Sequence, residues 1–357
     1  MCTGIQLKTT KGVPVYARTM EFGTSLHSKI LVIHPGHKFT AIGPTDDYPG
    51  MSWTSQYAIV GINAMDREVI ADGMNSEGLA VGSFYQPGYA SYMDITSENA
   101  KLSLSSIDVT TWLLSSCSNV NDVKEKIKGL QINNGIPIVD GKQTGTTPYP
   151  LHYNIHDTSG NALVIECING VLFCYDNPIG ILTNSPTFDW HLTNLRNYVN
   201  ISPDNKPVTN LVTSKQKNTA TPFGQGSGFL GLPGDFTPPS RFIRAFALTQ
   251  SVLPVDEPLD AITQAFHILS SFDIPEGVIR EHTLDENGDP ITTYDKTLWT
   301  SACDLKNKKY YFHSRNNRTI RMVDLGNWNF HETEEVTSMN MEDSQQVEQL
   351  YPVKVPA

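Results

Sequence analysis

Met1-Cys2-Thr3-Gly4-Ile5-Gln6-Leu7-Lys8, continued through Thr9-Thr10-Lys11-Gly12 to Val13-Pro14-Val15-Tyr16-Ala17-Arg18-Thr19-Met20-Glu21-Phe22, opens the chain as two apolar runs around a glycine-containing turn. The pattern reads as a β-hairpin with strands over Ile5 to Lys8 and Val13 to Ala17, and it puts Cys2 at the hairpin's open end. An antiparallel ladder then brings a residue near position 2 across from one near position 18. Loss of Met1 makes Cys2 an N-terminal cysteine that carries nucleophile and base together. A free α-amine has a pKa of about 7.7 to 8.0, whereas the Met1-Cys2 amide nitrogen has no useful basicity. Activation of a side-chain nucleophile by the chain's own amine is an established arrangement. Read alone, Met1-Cys2 favours the plainer reading of a small residue that happens to follow methionine, and the case rests on the rest of the chain.

Outward from this hairpin the pattern stays strand-like as far as Tyr85. Runs at Ile30 to Ile33, Tyr57 to Ile62 and Leu79 to Tyr85 are separated by Pro35-Gly36 and by Asn75-Ser76-Glu77-Gly78. From Ser106 the period becomes helical: Asp108 caps a helix bearing Trp112, Leu113 and Leu114, and Asn121-Asp122 starts another bearing Val123, Ile127 and Leu130. Strands return at His152 to His156, Ala162 to Cys167, Val171 to Tyr175 and Gly180 to Thr183. Asp189 to Val199 reads as helix, and the polar, Gly-rich Ser202 to Gly234 as a surface excursion. Helices over Ser240 to Leu248 and Leu259 to Phe272 precede closing strands at Leu298 to Asp304, Tyr310 to His313 and Thr319 to Val323. This order favours packed sheets with helices outside over a βαβ array.

Composition narrows the function classes. With 357 residues, 39% hydrophobic and 18% charged, the chain has the make-up of a globular protein. Its net charge of −11 lacks the basic footprint that nucleic acid or an anionic membrane needs, so a small molecule is the expected partner. No apolar run reaches the length of about 18 residues that a membrane helix requires, and no secretory h-region follows Met1, so the cytoplasm is the expected compartment. Cys2, Cys117, Cys167, Cys174 and Cys303 show no paired spacing for zinc, and the ten histidines form no ligand pattern, so no metal site is expected. Cys167 and Cys174 flank a turn and allow a disulfide, but free thiols fit a reducing compartment better.

Several short motifs bear on chemistry, each with an ordinary reading beside it. Gly226-Ser227-Gly228-Phe229-Leu230-Gly231 matches GxGxxG but follows a polar loop and lacks the βαβ setting of a dinucleotide site. Arg18, at the far end of the hairpin, is placed to hold the Cys2 sulfur as thiolate, since a cation lowers a thiol's pKa from about 8.5. Glu21 is placed to take a hydrogen bond from the α-ammonium. Both residues also fit a surface ion pair. Asp72-Gly73-Met74-Asn75-Ser76-Glu77-Gly78-Leu79 is turn chemistry that aims Tyr85, whose backbone N–H can serve an oxyanion. In Thr183-Asn184-Ser185-Pro186 the Asn184 amide can donate to developing negative charge or simply form a turn. Leu232-Pro233-Gly234-Asp235-Phe236-Thr237-Pro238-Pro239-Ser240-Arg241 delivers Arg241 to a helix start, where the helix dipole offers a cation nothing, so a carboxylate or the active-site cluster is its expected partner.

Taken in order, Met1-Cys2-Thr3, Arg18-Thr19-Met20, Ala71-Asp72-Gly73-Met74-Asn75, Leu182-Thr183-Asn184-Ser185-Pro186 and Leu232 to Arg241 resemble the choloylglycine hydrolase family, which holds conjugated bile acid hydrolases and penicillin V acylases. The resemblance runs over nearly the whole chain. It implies an α+β, four-layer αββα sandwich of two antiparallel sheets, the N-terminal nucleophile hydrolase fold, in one domain over residues 1 to 357. It also implies cleavage of linear amides without metal or organic cofactor. Carried over by position, Cys2 resembles the nucleophile, Arg18 the thiolate-stabilising residue, Asn184 the oxyanion donor and Arg241 the active-site arginine. Two positions depart from the usual pattern: Glu21 stands where the family usually has Asp, and Tyr85 where bile acid hydrolases often have Asn and some penicillin V acylases have Tyr. Met20, Phe22, Met65 and Ile136 are candidate walls of an apolar acyl pocket, or ordinary core. The family also implies a homotetramer assembled partly through an excursion at about 187 to 225. The expected substrates are conjugated bile acids, penicillin V or both; an acylase of N-acyl homoserine lactones or other N-acyl amides is the alternative, and a catalytically silent ligand-binding protein is the reading of another class.

Overall fold

β1 (Cys2–Lys8) and β2 (Pro14–Phe22) form the expected hairpin, paired antiparallel from Cys2 opposite Met20 to Lys8 opposite Pro14. The turn closes on Gly12, whose φ of 76° is open to glycine, and its N–H donates to Thr9 O at 2.9 Å. These elements belong to a computed structural model that describes residues 1–45, 47–136, 138–139, 142–143, 148–212, 217–284, 289–330, 336–345 and 347–350. β1 is the edge of a six-stranded sheet that continues through β2, Pro290–Asp304, Lys309–Ser314 and Arg321–Asp324, with Ile279–Leu284 paired to the outer part of Pro290–Asp304. A second sheet has eight strands in the order Val171–Asp176, Ala162–Ile168, Leu151–His156, Ala80–Tyr85, Ile70–Asn75, Ile59–Asn63, Lys29–Ile33 and Thr337–Asn340. Every neighbouring pair in both sheets is antiparallel.

Helices cover both outer faces. α1 (Val109–Ser116) lies on Ile70–Asn75 and Ala80–Tyr85, and α2 (Val120–Lys126) follows it over the same core. α3 (Phe188–Asn194) packs beside α4 (Pro238–Ser251), and α4 and α5 (Pro258–Ser270) lie on β1 and β2. The layers are thus α, β, β, α, as the resemblance implies. Proline opens both α4 and α5, at a position where its missing N–H costs nothing. In α5, Ala261, Ile262, Ala265, Phe266 and Leu269 recur at helical spacing and are buried against the sheet. β2 is buried from Pro14 to Glu21 because one face meets the second sheet and the other meets the helices. Among the described residues no helix is long and apolar enough to cross a membrane.

The chain departs from the sequence expectations at several elements. Ile70–Asn75 is a strand, and only Asn75 to Gly78 turns, with Gly78 N donating to Asn75 O at 2.9 Å. Gly180 to Thr183 is no strand: Leu182 makes a lone bridge to Gly4 on the free edge of β1. The closing strand begins at Pro290, well before Leu298. Asp108 does not cap α1 but accepts from Ile42 N at 2.9 Å and Ser105 Oγ at 2.5 Å. Asn119 caps α2 instead, accepting from Asp122 N at 3.0 Å. Cys167 faces Leu172 and Cys174 faces Ile165 across their ladder, and all five cysteines are free. The excursion carries a hairpin of Thr209–Val212 and Lys217–Ala220, with Leu211, Val212 and Phe223 exposed.

Candidate active site

The alternation of β1 and β2 decides which side chains meet. Cys2, paired with Met20, and Arg18, paired with Gly4, fall on the face turned toward the second sheet. Thr3 and Thr19 fall on the face turned toward α4. The Cys2 thiol is 2% exposed and lies 3.8 Å from Met20 Sδ, and Arg18 Nη2 reaches the same sulfur at 3.8 Å. Arg18 is fully buried between the rings of Phe84 and Trp299, 4.1 and 5.3 Å from its guanidinium carbon, and donates to Ser83 O at 2.6 Å. Burial works against its charge, but Cys2, Tyr16, Asp72 and Glu21 outweigh it and hold the guanidinium above its ordinary pKa.

Asn184 ties three elements together. Its Oδ1 accepts from Cys2 N at 2.9 Å and from Arg241 Nη2 at 2.6 Å, while its Nδ2 donates to Tyr85 O at 2.6 Å. Arg241, on the first turn of α4 and fully buried, also donates to Cys2 O, to Thr3 Oγ1 at 2.9 Å and to Phe236 O at 2.9 Å. Its partners are the cluster around Cys2, not a carboxylate. Burial lowers its pKa, against Glu21 and Cys2, which raise it.

The N-terminus sits on this cluster. The Met1 ammonium donates to Glu21 O at 2.5 Å and Glu21 N donates to Met1 O at 2.8 Å, so Met1 extends the ladder by one pair. Glu21 therefore receives the ammonium on its backbone carbonyl. Its carboxylate is fully buried and, apart from the nearby Thr19 hydroxyl, meets no hydrogen-bond donor among the described residues; burial raises its pKa against the pull of the chain ammonium, Arg241, Thr19 and Arg18. A register shift between Thr297 and Trp299, opposite Met20 and Glu21, leaves Leu298 unpaired in that ladder; such bulges re-aim side chains beside sites.

Beside the thiol lies an apolar cavity of about 60 Å³, walled by Cys2, Met20, Glu21, Phe22, Leu26, Ala64, Met65, Val69, Ala71, Ser83, Tyr85, Ile107, Tyr149 and Leu151. Phe22 and Tyr85 meet edge to face there, with centroids 6.2 Å apart. The Tyr85 phenol is pushed up first by burial, then by Glu281, Tyr149 and Asp295. A larger polar cleft of about 690 Å³ opens at the far end of β1, but its lining holds no cysteine, serine or histidine.

Residues 2–338 match the model of the linear amide C–N hydrolases, choloylglycine hydrolase family. The chain belongs to the choloylglycine hydrolase family. It is 34% identical to a bile salt hydrolase/transferase of Clostridium perfringens, over 92% of this chain and 94% of that protein. It is 26% identical to a penicillin V acylase of Pectobacterium atrosepticum, over 89% of this chain and 78% of the other. The crystal structure of the C2A mutant of conjugated bile acid hydrolase from Clostridium perfringens superposes with a TM-score of 0.79 at 31% identity, covering 98% of this chain and all of that one. The chain is accordingly a hydrolase of linear amides with the N-terminal nucleophile hydrolase fold.

Within this choloylglycine hydrolase family member, the structure gathers Cys2, Arg18, Glu21, Tyr85, Asn184 and Arg241 around one point and puts Met20, Phe22 and Met65 on the cavity wall. Ile136 is not in that wall; it lies half-buried just past the short strand Gln131–Asn133. Sequence reasoning also missed a polar cluster behind Arg18. Asp72 is fully buried and accepts from Tyr16 OH at 3.1 Å, Ser301 Oγ at 2.7 Å and Tyr310 OH at 2.7 Å, with Arg18 Nη1 at 4.0 Å. Burial raises its pKa against those partners, Arg18 first. The available signal was Asp72 itself, the one charged residue in the run Val69 to Met74.

Proposed function

We propose that this enzyme hydrolyses the amide of conjugated bile acids, with Cys2 as nucleophile once Met1 has been removed. The observation that carries the reading is the convergence of a buried thiol, two buried guanidinium groups and the Asn184 amide at the edge of an apolar cavity. The freed Cys2 amine keeps Asn184 Oδ1 as one partner, and the buried Glu21 carboxylate, which already feels the chain ammonium, is the natural second. The amine takes the thiol proton, and Arg18 holds the thiolate. Attack forms the C–S bond and turns the carbonyl oxygen into an oxyanion, which the second N–H of Asn184 Nδ2 and the Tyr85 N–H stabilise. Collapse breaks the C–N bond, and the α-ammonium returns its proton to the departing amine. Water then cleaves the thioester, with the amine again as base, releasing the acid and restoring the thiol.

The relatives' activities support a bile acid as the acyl group, and Met20, Phe22 and Met65 present apolar surface beside the thiol. Penicillin V is the second reading, favoured by the aromatic residues Phe22, Tyr85 and Tyr149 around the cavity, which suit a phenoxyacetyl group. The test is kcat/KM on glycocholate, taurocholate, penicillin V and a long-chain N-acyl homoserine lactone, using chains whose intact mass lacks Met1. The two cholates are expected to react fastest. A lead for penicillin V or the lactone moves the assignment to that substrate, and inertness toward all four leaves a ligand-binding protein.

A further inference from the structure

Two side chains beyond the cluster end on the loop that carries Asn184. Glu166, fully buried in the strand Ala162–Ile168, accepts three hydrogen bonds on one oxygen: from Gln86 Nε2 at 2.8 Å, His152 Nδ1 at 3.1 Å and Phe188 N at 3.0 Å. His152, equally buried, places its other nitrogen 3.2 Å from Thr183 O. Phe188 is the first residue of α3, whose Thr187 cap makes no side-chain bond, so the Glu166 carboxylate takes over that capping role. One carboxylate thus holds both ends of the segment 183–188, through His152 at Thr183 and directly at Phe188. The two ring nitrogens of His152 face oxygens on opposite sides, Glu166 Oε1 and Thr183 O, so the ring bridges the carboxylate to the loop. The second Glu166 oxygen is buried with no hydrogen-bond partner among the described residues, a cost that a purely structural carboxylate has little reason to bear.

We propose that Glu166, acting through His152 and the Phe188 N–H, is the positioning residue that sets the Asn184 amide for the oxyanion. The inference rests on Asn184 serving the oxyanion, as proposed above. A carboxylate clamp on the loop matters to the rate because a donor displaced by an ångström loses much of its value in the transition state while substrate binding is largely kept.

The test is a double-mutant cycle of Glu166→Gln and Asn184→Ala on the processed enzyme, with kcat and KM measured separately. Glu166→Gln keeps the side chain's shape and removes its charge; kcat is expected to fall on the order of 10- to 100-fold with KM changed less than about twofold. In the Asn184→Ala background the same substitution is expected to cost less than about twofold more, since its route is already gone. If Asn184→Ala cripples the enzyme and the two losses multiply, Glu166 acts elsewhere and the inference fails. If Asn184→Ala leaves kcat intact, it is the oxyanion assignment that fails. Should Glu166→Gln not fold, His152→Gln replaces it in the cycle, cutting the link to Thr183 while leaving Gln86 and Phe188 on the carboxylate, with the same expectations.

Discussion

Arg18 and Asp72 lie 4.0 Å apart in a space with no water-facing surface, and Gly82 is what makes room for them. Gly82 pairs directly with Asp72, and a Cβ there would lie 2.5 Å from Tyr16 OH, 2.8 Å from Asp72 Oδ1 and 3.1 Å from Arg18 Nη1. Gly82→Ala is therefore expected to cost about 1 to 3 kcal/mol of stability and to lower kcat as Arg18 shifts. Thermal unfolding and turnover check it together, and an unchanged melting temperature with full activity would show that the cluster yields freely. At this scale the sequence was partly legible. Cys2, Arg18, Asn184 and Arg241 stand out because their motifs follow one another in the family's order along the chain. Asp72 lies in one of those motifs too, but Asp72-Gly73 has turn composition whether or not the backbone turns, and that hides its carboxylate as a partner of Arg18. Glu166 and His152 sit in ordinary strand patterns, and their importance lies in which loop folds over them.

Among the elements, the hairpin was read well because its turn and its two apolar runs are local features. What sequence spacing could not give is register. Cys2 faces Met20, and Arg18 reaches the thiol's neighbourhood from the diagonal position across Gly4. The missed strand Ile70–Asn75 and the truncated reading of Pro290–Asp304 have related causes. Ile70–Asn75 is buried on both faces and lacks the alternation that marks a half-exposed strand, and the outer half of Pro290–Asp304 is mostly polar and at best half-buried. The segment before Asn184 was misread for the opposite reason: Ile181 and Leu182 are apolar and buried, yet the segment joins β1 by one bridge. The mis-sited cap of α2 is a shift of two residues in a run, Ser118 to Asp122, where several side chains can cap.

Across the whole molecule, the αββα packing buries three histidines as neutral rings. Burial pushes His156 down to about 3, and His191 and His313 to about 4, from an ordinary 6.5. Below pH 6.5 the unfolded chain binds protons that these rings refuse. The stability they contribute is whole above about 6.5 and is lost as pH falls toward 4, at up to about 1.4 kcal/mol per pH unit for each ring. Glu21, Asp72 and Asp108, raised by burial, act in the opposite sense, adding stability as pH falls. Urea unfolding at pH 7 and pH 5 is expected to show a smaller loss for His313→Gln than for the parent chain; equal losses would contradict the burial argument. The layers also bring Asn184 and Arg241 onto Cys2 from 182 and 239 residues away, which is why the site is a property of the fold and not of any one segment. Acid-quenched mass spectrometry during glycocholate turnover asks whether Cys2 is an N-terminal nucleophile. A cholyl thioester is expected on Cys2 in chains that have lost Met1, and none in Met1-bearing chains or in Cys2→Ala; turnover by either of those forms would rule that role out.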